Sequence, residues 1–404
     1  MKILLGGVPF GCDNIGDEAI LASVVGVFRR ICPSAELTVC TGDREGTERK
    51  LGVKTAPLYG FDPAFPADRI AEVLPGVDFY VWSGATGLSD YPEMACSLLE
   101  TVHAAGVRSI VWSVGMNDEF NPAFFTLSGR KRAFADAVRS VCGFDLARRW
   151  KERRIRSVRD RIARTLSRCD LVVLRDPRSL DSLRRCGPFP HAVVGADTAI
   201  LQKQCAWEAL PWSESERYAF QAASARMAVC VSQQSRIREL GVFAGWLDSM
   251  LEARPGLLVV TLPMNPKTDY RLMRDLRERS RHQDRILPLR FLEPEEVQAA
   301  VSRCDLVVSS RLHLLILGLN NLVPGVGIAR GSKISDFLSQ FGLVTAGTTA
   351  RLDLPALTAA ADQALSSRDE FTRRAQAVRA GLLADLDRAT GLLKQTLETP
   401  SHRK

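Results

Sequence analysis

Residues 1–30 read MKILLGGVPFGCDNIGDEAILASVVGVFRR. Met1–Leu5 is an apolar run of strand length, and Gly6-Gly7 opens a glycine-rich turn behind it. From about Glu18 to Arg30, the residues Ile20, Leu21, Val24, Val25 and Phe28 recur on one helical face. Asp17 stands where an N-cap would. A buried strand, a glycine turn and an amphipathic helix in that order predict a parallel sheet covered by helices.

The alternation continues along the chain. Leu37–Cys40, Phe79–Trp82, Ser109–Ser113, Leu171–Leu174 and His191–Val194 read as strands, with helices near Tyr91–Ala105 and Ser179–Arg185. A second series begins after the Pro/Glu/Ser-rich stretch Pro211–Glu216. Its strands are Met227–Val231, Leu257–Leu262, Asp305–Ser309 and Val323–Ile328. Its helices lie at about Ile237–Ala253, Asp269–Arg281, Glu295–Arg303 and Leu314–Leu319. The pattern predicts an α/β protein of two Rossmann-like, doubly wound domains facing across a cleft. The first is expected over 1–210, with a basic helical insertion at about 120–168, and the second over 225–345. Helices in 350–404 are expected to pack back across the domain boundary.

A length of 404 residues suits two domains of roughly 200 each. Hydrophobic residues at 46% and charged residues at 25% exclude disordered, collagen-like and coiled-coil classes. The most apolar window, Leu312–Ile328, is interrupted by His313, Asn320, Asn321 and Pro324, and falls short of the ~18–20 residues of a spanning helix. No signal-peptide core follows Met1, so a cytoplasmic protein is expected. Ten cysteines without a CxxC pair read as reduced and structural, and no metal-ligand cluster is visible. Cys12 differs in lying within the first glycine turn.

In open α/β sheets, ligands bind beyond the carboxyl ends of the strands, which selects four loops. The first, Gly6 to Glu18, combines glycines with a helix N-terminus that attracts anions; Asp17 is either a structural cap there or a working carboxylate. The second, Trp82-Ser83-Gly84-Ala85-Thr86-Gly87-Leu88-Ser89-Asp90, lets a ligand approach the backbone. Its Asp90 reads either as a base or hydroxyl-orienting group or as part of a solvated turn. In the third, Arg175 follows a buried strand and offers a fork for carboxylate or phosphate. Asp176 is placed to orient it and Ser179 to cap the next helix. The fourth, Asp305-Leu306-Val307-Val308-Ser309-Ser310-Arg311-Leu312-His313, is the sharpest, because Arg311 and His313 interrupt an apolar strand and an apolar helix. The other histidines are His103, His191, His282 and His402. Lys333, after the next strand, adds a cation at the same mouth.

At these loops the sequence resembles the polysaccharide pyruvyl transferase family. The resemblance rests on Asn14-Ile15-Gly16-Asp17-Glu18-Ala19-Ile20-Leu21, the turn ending at Asp90, Arg175-Asp176 with Ser179, Asp197 within Gly-Ala-Asp-Thr-Ala-Ile-Leu, and Ser310-Arg311-Leu312-His313 followed by Val323-Pro324 and Lys333. It implies a GT-B-like fold, phosphoenolpyruvate as donor, a pair of sugar hydroxyls as acceptor and no cofactor. By motif position it implies that Arg175 and Arg311 grip the donor and that His313 acts on it. Asn14, Gly16, Ser310 and Lys333 complete the expected binding set, with Asp90 or Asp17 taking the hydroxyl proton. The segment Phe120–Arg168 is longer and more basic than the family pattern. Alternatives are a nucleotide-sugar glycosyltransferase on the same architecture and, from another class, a module binding nucleic acid or an anionic surface.

The net charge of +8 is concentrated. Between Gly129 and Arg168 stand 14 Lys/Arg against 4 Asp/Glu, while the other residues carry 40 and 42. Arg148–Arg168 reads as one helix with an apolar stripe of Leu146, Trp150, Ile155, Val158, Ile162 and Leu166. It is expected either to be a solvated face or to touch an anionic inner membrane leaflet, where a lipid-linked acceptor would reside. No nucleic-acid motif accompanies it.

Overall fold

The computed structural model describes residues 1–234, 237–291 and 293–400. His402 lies outside the described residues. The first sheet holds β1 (Lys2–Gly6), β2 (Glu36–Cys40), β3 (Lys54–Ala56), β4 (Phe79–Ser83), β5 (Arg108–Val114), β6 (Leu171–Leu174) and β7 (Ala192–Val194). All pairs are parallel, in the order β3-β2-β1-β4-β5-β6-β7. The second holds β8 (Ala225–Cys230), β9 (Leu257–Thr261), β10 (Ile286–Pro288), β11 (Leu306–Ser309), β12 (Gly325–Ala329) and β13 (Thr345–Thr348), parallel in the order β10-β9-β8-β11-β12-β13. Both sheets wind outward in two directions from their first strand. Each therefore has a switch point, between β1 and β4 in one and between β8 and β11 in the other.

Sequence reading placed the long buried strands and missed β3, β10 and β13. These are edge strands of three or four residues, where one-sided pairing needs little apolar sequence. The stretch Pro211–Glu216, read as a divider, already contains the start of helix Glu214–Ala222. Its Ser213 and Glu216 form a reciprocal capping box.

The two compact units divide the chain differently from the expected 1–210 and 225–345. One comprises Met1–Pro9, Phe28–Gly195 and the chain from Arg388 onward. The other comprises Phe10–Val27 and Ala196–Asp387. The first loop is the reason for the exchange. Its Ile15 amide donates to the Met264 carbonyl at 2.9 Å, and Asp13 forms an ion pair with Lys267 at 2.6 Å, both beyond the end of β9. The final helix, Arg368–Glu398, contributes residues to each unit.

The basic insertion forms two helices, Gly129–Cys142 and Leu146–Leu166. Of the expected stripe, Val158, Ile162 and Leu166 are buried in the core of the first unit, whereas Trp150 is exposed. The carboxyl half of that helix is tied down further, since Arg161 pairs with Glu100 and Thr165 donates to the same carboxylate. It is therefore an integral part of the unit on its buried face, while Arg156, Asp160 and Arg164 remain exposed on the opposite face. No helix among the described residues is long and apolar enough to cross a membrane.

Candidate active site

Helix Ile15–Ile31 starts three residues earlier than its apolar pattern suggests, so Asp17 lies inside the first turn and is not its cap. Asn14 takes the capping role. Its Oδ1 accepts the Gly16 amide at 3.2 Å, and its Nδ2 donates to Asp17 Oδ2 at 2.6 Å. Asp17 is buried, and its carboxyl is pushed up to about 7. Loss of solvent is the main cause, and Glu18 adds to it. The Asn14 bond and the positive charges of Lys333 and Arg311 oppose it.

Arg311 and His313 follow β11 at the switch point of the second sheet. Helix Leu312–Asn320 begins earlier than expected, which places His313 in its first turn. A β-carbon on Gly16 would collide with the His313 imidazole, so the two first turns pack backbone against ring. On its other side, His313 Nε2 stands 3.8 Å from Asp197 Oδ2. Asp197 is buried, and its other oxygen accepts the Ala199 amide at 3.1 Å, capping a short 3-10 turn. Asp17, Gly16, His313 and Asp197 thus all belong to one unit.

Arg311 stands in that neighbourhood with a fixed partner of its own. Its Nε donates to Asp269 Oδ2 at 2.9 Å and its Nη2 to Asp269 Oδ1 at 2.8 Å. Asp269 is fully buried and also accepts the Gln233 amide at 2.9 Å and the Asn265 amide at 3.1 Å. The charge of Arg311 thus serves the structure as well as any ligand. Asp269 balances it, and Nη1 extends toward Gln234 Oε1 at 3.4 Å. Ser310 is buried, and its hydroxyl accepts the Ser232 amide at 2.9 Å, tying the ends of β8 and β11 together. Its first role is to hold the switch point. Lys333 lies in the first turn of helix Ser332–Gln340, close enough to Asp17 to act on its charge.

Sequence reasoning missed Asp269 and Arg330. Arg330 follows β12 directly and donates to Ser232 Oγ at 3.1 Å. Its position one residue beyond a parallel strand was a legible signal. Asp269 had none, because its partner is 42 residues away.

Asp90 and Arg175 belong to the first unit, where the loop after β5 links them. Asn117 Nδ2 donates to Asp90 Oδ1 at 3.0 Å, and Thr86 donates to Asp90 Oδ2. A β-carbon on Gly115, two residues earlier, would collide with the Arg175 guanidinium. Arg175 Nε donates to Asp176 Oδ2 at 3.1 Å, as expected. Asp176, and not Ser179, caps helix Pro177–Arg184, accepting the Ser179 amide at 2.6 Å. The Ser179 hydroxyl instead accepts the Met116 amide at 3.0 Å. Ala85 and Ser113, at the ends of β4 and β5, have φ of 56° and 53°, a left-handed conformation that costs a non-glycine residue about 1–3 kcal/mol. Strain of that kind gathers at ligand-facing loops.

All ten cysteines are free. Burial pushes the Cys40, Cys230 and Cys304 thiols up to about 12. Cys12 is raised by partial burial and by the carboxylates of Glu18, Asp17 and Asp13, which disfavours a nucleophilic thiolate.

A family model described as polysaccharide pyruvyl transferase matches residues 14–332. This span includes every site residue named above except Lys333. No curated protein matches the chain in sequence. Solved structures do match in fold. A putative UDP-N-acetylglucosamine 2-epimerase from Listeria monocytogenes superposes with TM-score 0.64 at 11% identity, over 100% of this chain and 98% of the other. The S. aureus MnaA–UDP structure gives 0.63 at 12%, over 99% and 98%. A glycosyltransferase from Rickettsia africae gives 0.56 at 11%, over 99% of each chain. At such identities the likeness shows the fold alone, and that fold is GT-B.

Proposed function

The chain belongs to the polysaccharide pyruvyl transferase family, and from that premise we propose that this transferase moves the three-carbon unit of phosphoenolpyruvate onto two hydroxyls of a sugar, forming a ketal. The observation that carries the reading is that Gly16 packs directly on the His313 imidazole while the next residue, Asp17, is a buried carboxyl pushed up to about 7. Arg311, Arg330 and Lys333 stand in the same unit. A donor with about three negative charges needs cations to hold it and a proton source to activate it.

In this scheme His313, oriented by Asp197, delivers a proton to the methylene carbon, leaving an oxocarbenium-like centre at the adjacent carbon. One sugar hydroxyl attacks that carbon and loses its proton to Asp17. The carbon–oxygen bond to phosphate breaks, the cationic side chains balance the charge of the departing inorganic phosphate, and an oxocarbenium-like carbon is left again. The second hydroxyl then attacks that carbon, closes the ring and returns a proton to His313. Asp90 and Arg175, at the end of the first sheet, follow the family pattern as a hydroxyl-orienting carboxylate and an anion-binding fork. A sugar attached to a lipid carrier is the acceptor class we favour, and the cytoplasm is the compartment.

Nucleotide-sugar transfer is the second reading. It is supported by the UDP bound to a relative of the same fold. The decisive experiment compares thermal stabilisation by phosphoenolpyruvate with that by UDP-sugars, followed by assay of acceptor-dependent phosphate release. Stabilisation by UDP-sugars alone, without phosphate release, overturns the pyruvyl reading. A ligand at 100 times its Kd stabilises by about 2.7 kcal/mol, well within reach of such an assay.

A further inference from the structure

We propose that the helix pair spanning residues 129–156 is a docking surface for an anionic lipid membrane. Helix Gly129–Cys142 buries only Ala135. Phe134 is 66% exposed and Val141 84% exposed, and a spacing of seven places them on the same stripe as Arg130. Across the turn at Gly143, Phe144 and Trp150 are exposed as well. A surface that shows two phenylalanines, a valine and a tryptophan to water marks an interaction site.

Charge selects the partner. The acids of this segment are engaged: Asp136 pairs with Arg132, Asp145 with Arg139, and Glu152 with Arg148. Arg130, Lys131, Lys151, Arg153 and Arg156 have no carboxylate partner among the described residues. Arg149 lies over the Phe144 ring, 4.3 Å from its centroid. Residues 129–168 carry 14 basic and 4 acidic groups against 40 and 42 elsewhere, so an anionic plane attracts the molecule by this segment first. Apolar residues interleaved with cations on a helix fit the boundary between headgroups and acyl chains. Val141, the most exposed of them, has no ring to stack on a nucleobase, whereas an acyl layer buries it.

The test is flotation of the full chain with vesicles of phosphatidylcholine alone or phosphatidylcholine with phosphatidylglycerol, at low and high salt, beside an oligonucleotide-binding arm. Each Lys or Arg near an anionic surface is worth about fivefold in partitioning. Binding should therefore require phosphatidylglycerol, fall with salt, and drop by more than about tenfold when Arg130, Lys131, Lys151, Arg153 and Arg156 are changed to Gln. Phe134→Ser with Val141→Ser should weaken binding while leaving its salt dependence in place. These positions are exposed, and unchanged circular dichroism will show that the variants fold. Phosphate release with a soluble acceptor should be unaffected, which separates this proposal from the reaction assigned above. Equal flotation with neutral vesicles, insensitivity to the five substitutions, or salt-dependent oligonucleotide binding without flotation would overturn it.

Discussion

The guanidinium of Arg311 and the carboxylate of Asp269 meet through two parallel hydrogen bonds of 2.8 and 2.9 Å, with Asp269 wholly removed from water. The arginine at the most suggestive point of the sequence is therefore half of a buried pair. Two further backbone amides complete the carboxylate, so the pair positions the loops after β8 and β9 as well as itself. What Arg311 offers a ligand is its remaining Nη1 and a fixed orientation.

Removing either partner should be costly in stability as well as activity. Arg311→Ala or Asp269→Ala leaves an uncompensated buried charge, a loss of about 3–5 kcal/mol in urea unfolding. Arg311→Lys keeps the charge without the fork and should fold better than Arg311→Ala while recovering little turnover. A fully active, fully stable Asp269→Ala variant would contradict the geometry.

Gly16→Ala provides a test with a definite sign. In a helix, Ala is favoured over Gly by about 1 kcal/mol, so without an obstacle the change would stabilise. Here the added carbon meets the His313 ring, and the helix or the ring must move. Lower melting temperature and a loss of kcat of at least about 100-fold are expected. Pairing Gly16→Ala with His313→Ala removes the ring atoms from the collision and leaves only the contact with the β-carbon at position 313, so the double variant should recover part of the stability that Gly16→Ala alone loses. A double-mutant cycle in melting temperature measures this.

Asp17 predicts two pH effects. Its folded value of about 7 lies above the ordinary carboxyl value of 3.8. The folded state therefore holds a proton that the unfolded state releases between those pH values, and the protein loses stability as pH rises through this window. Asp17→Asn should abolish that loss. Its stability advantage over the parent protein should open above pH about 4 and level off above about 7. If Asp17 is the base for the acceptor hydroxyl, kcat/KM should rise toward pH 7 in the parent protein, and this limb should vanish in Asp17→Asn.

Cys12 lies beside Asp13, Asp17 and Glu18, and its thiol is raised first by partial loss of solvent and then by these carboxylates. Cys12→Ser should retain activity within about twofold, and alkylation of Cys12 should inhibit by bulk alone. Full inactivation of the serine variant, read in a phosphate-release assay, would reopen covalent catalysis.

Much of this was legible because it is local. Three consecutive apolar residues, Ile3 to Leu5, before glycines make β1, and the stripe from Ile20 to Phe28 makes the helix after it. The rule that ligands gather beyond parallel strand ends selected the loops bearing Arg175, Arg311 and Lys333. The polar residue after a strand was readable too, although Arg330 was passed over. Less legible were helix starts. Asn14 against Asp17, and Asp176 against Ser179, differ by a turn or less, and each sequence holds two residue types able to cap.

By itself, the sequence determined two parallel α/β sheets, their long strands and the loops at the carboxyl ends of those strands, since periodicity and apolarity act within a few residues. Tertiary structure alone decided that Phe10–Val27 joins the second unit, that Asp269 neutralises Arg311, and that Gly16 seats His313. Each of these joins residues dozens to hundreds of positions apart. Crossover connections and the order of strands in the sheet bring them together, and no pattern along the chain encodes which strand ends become neighbours.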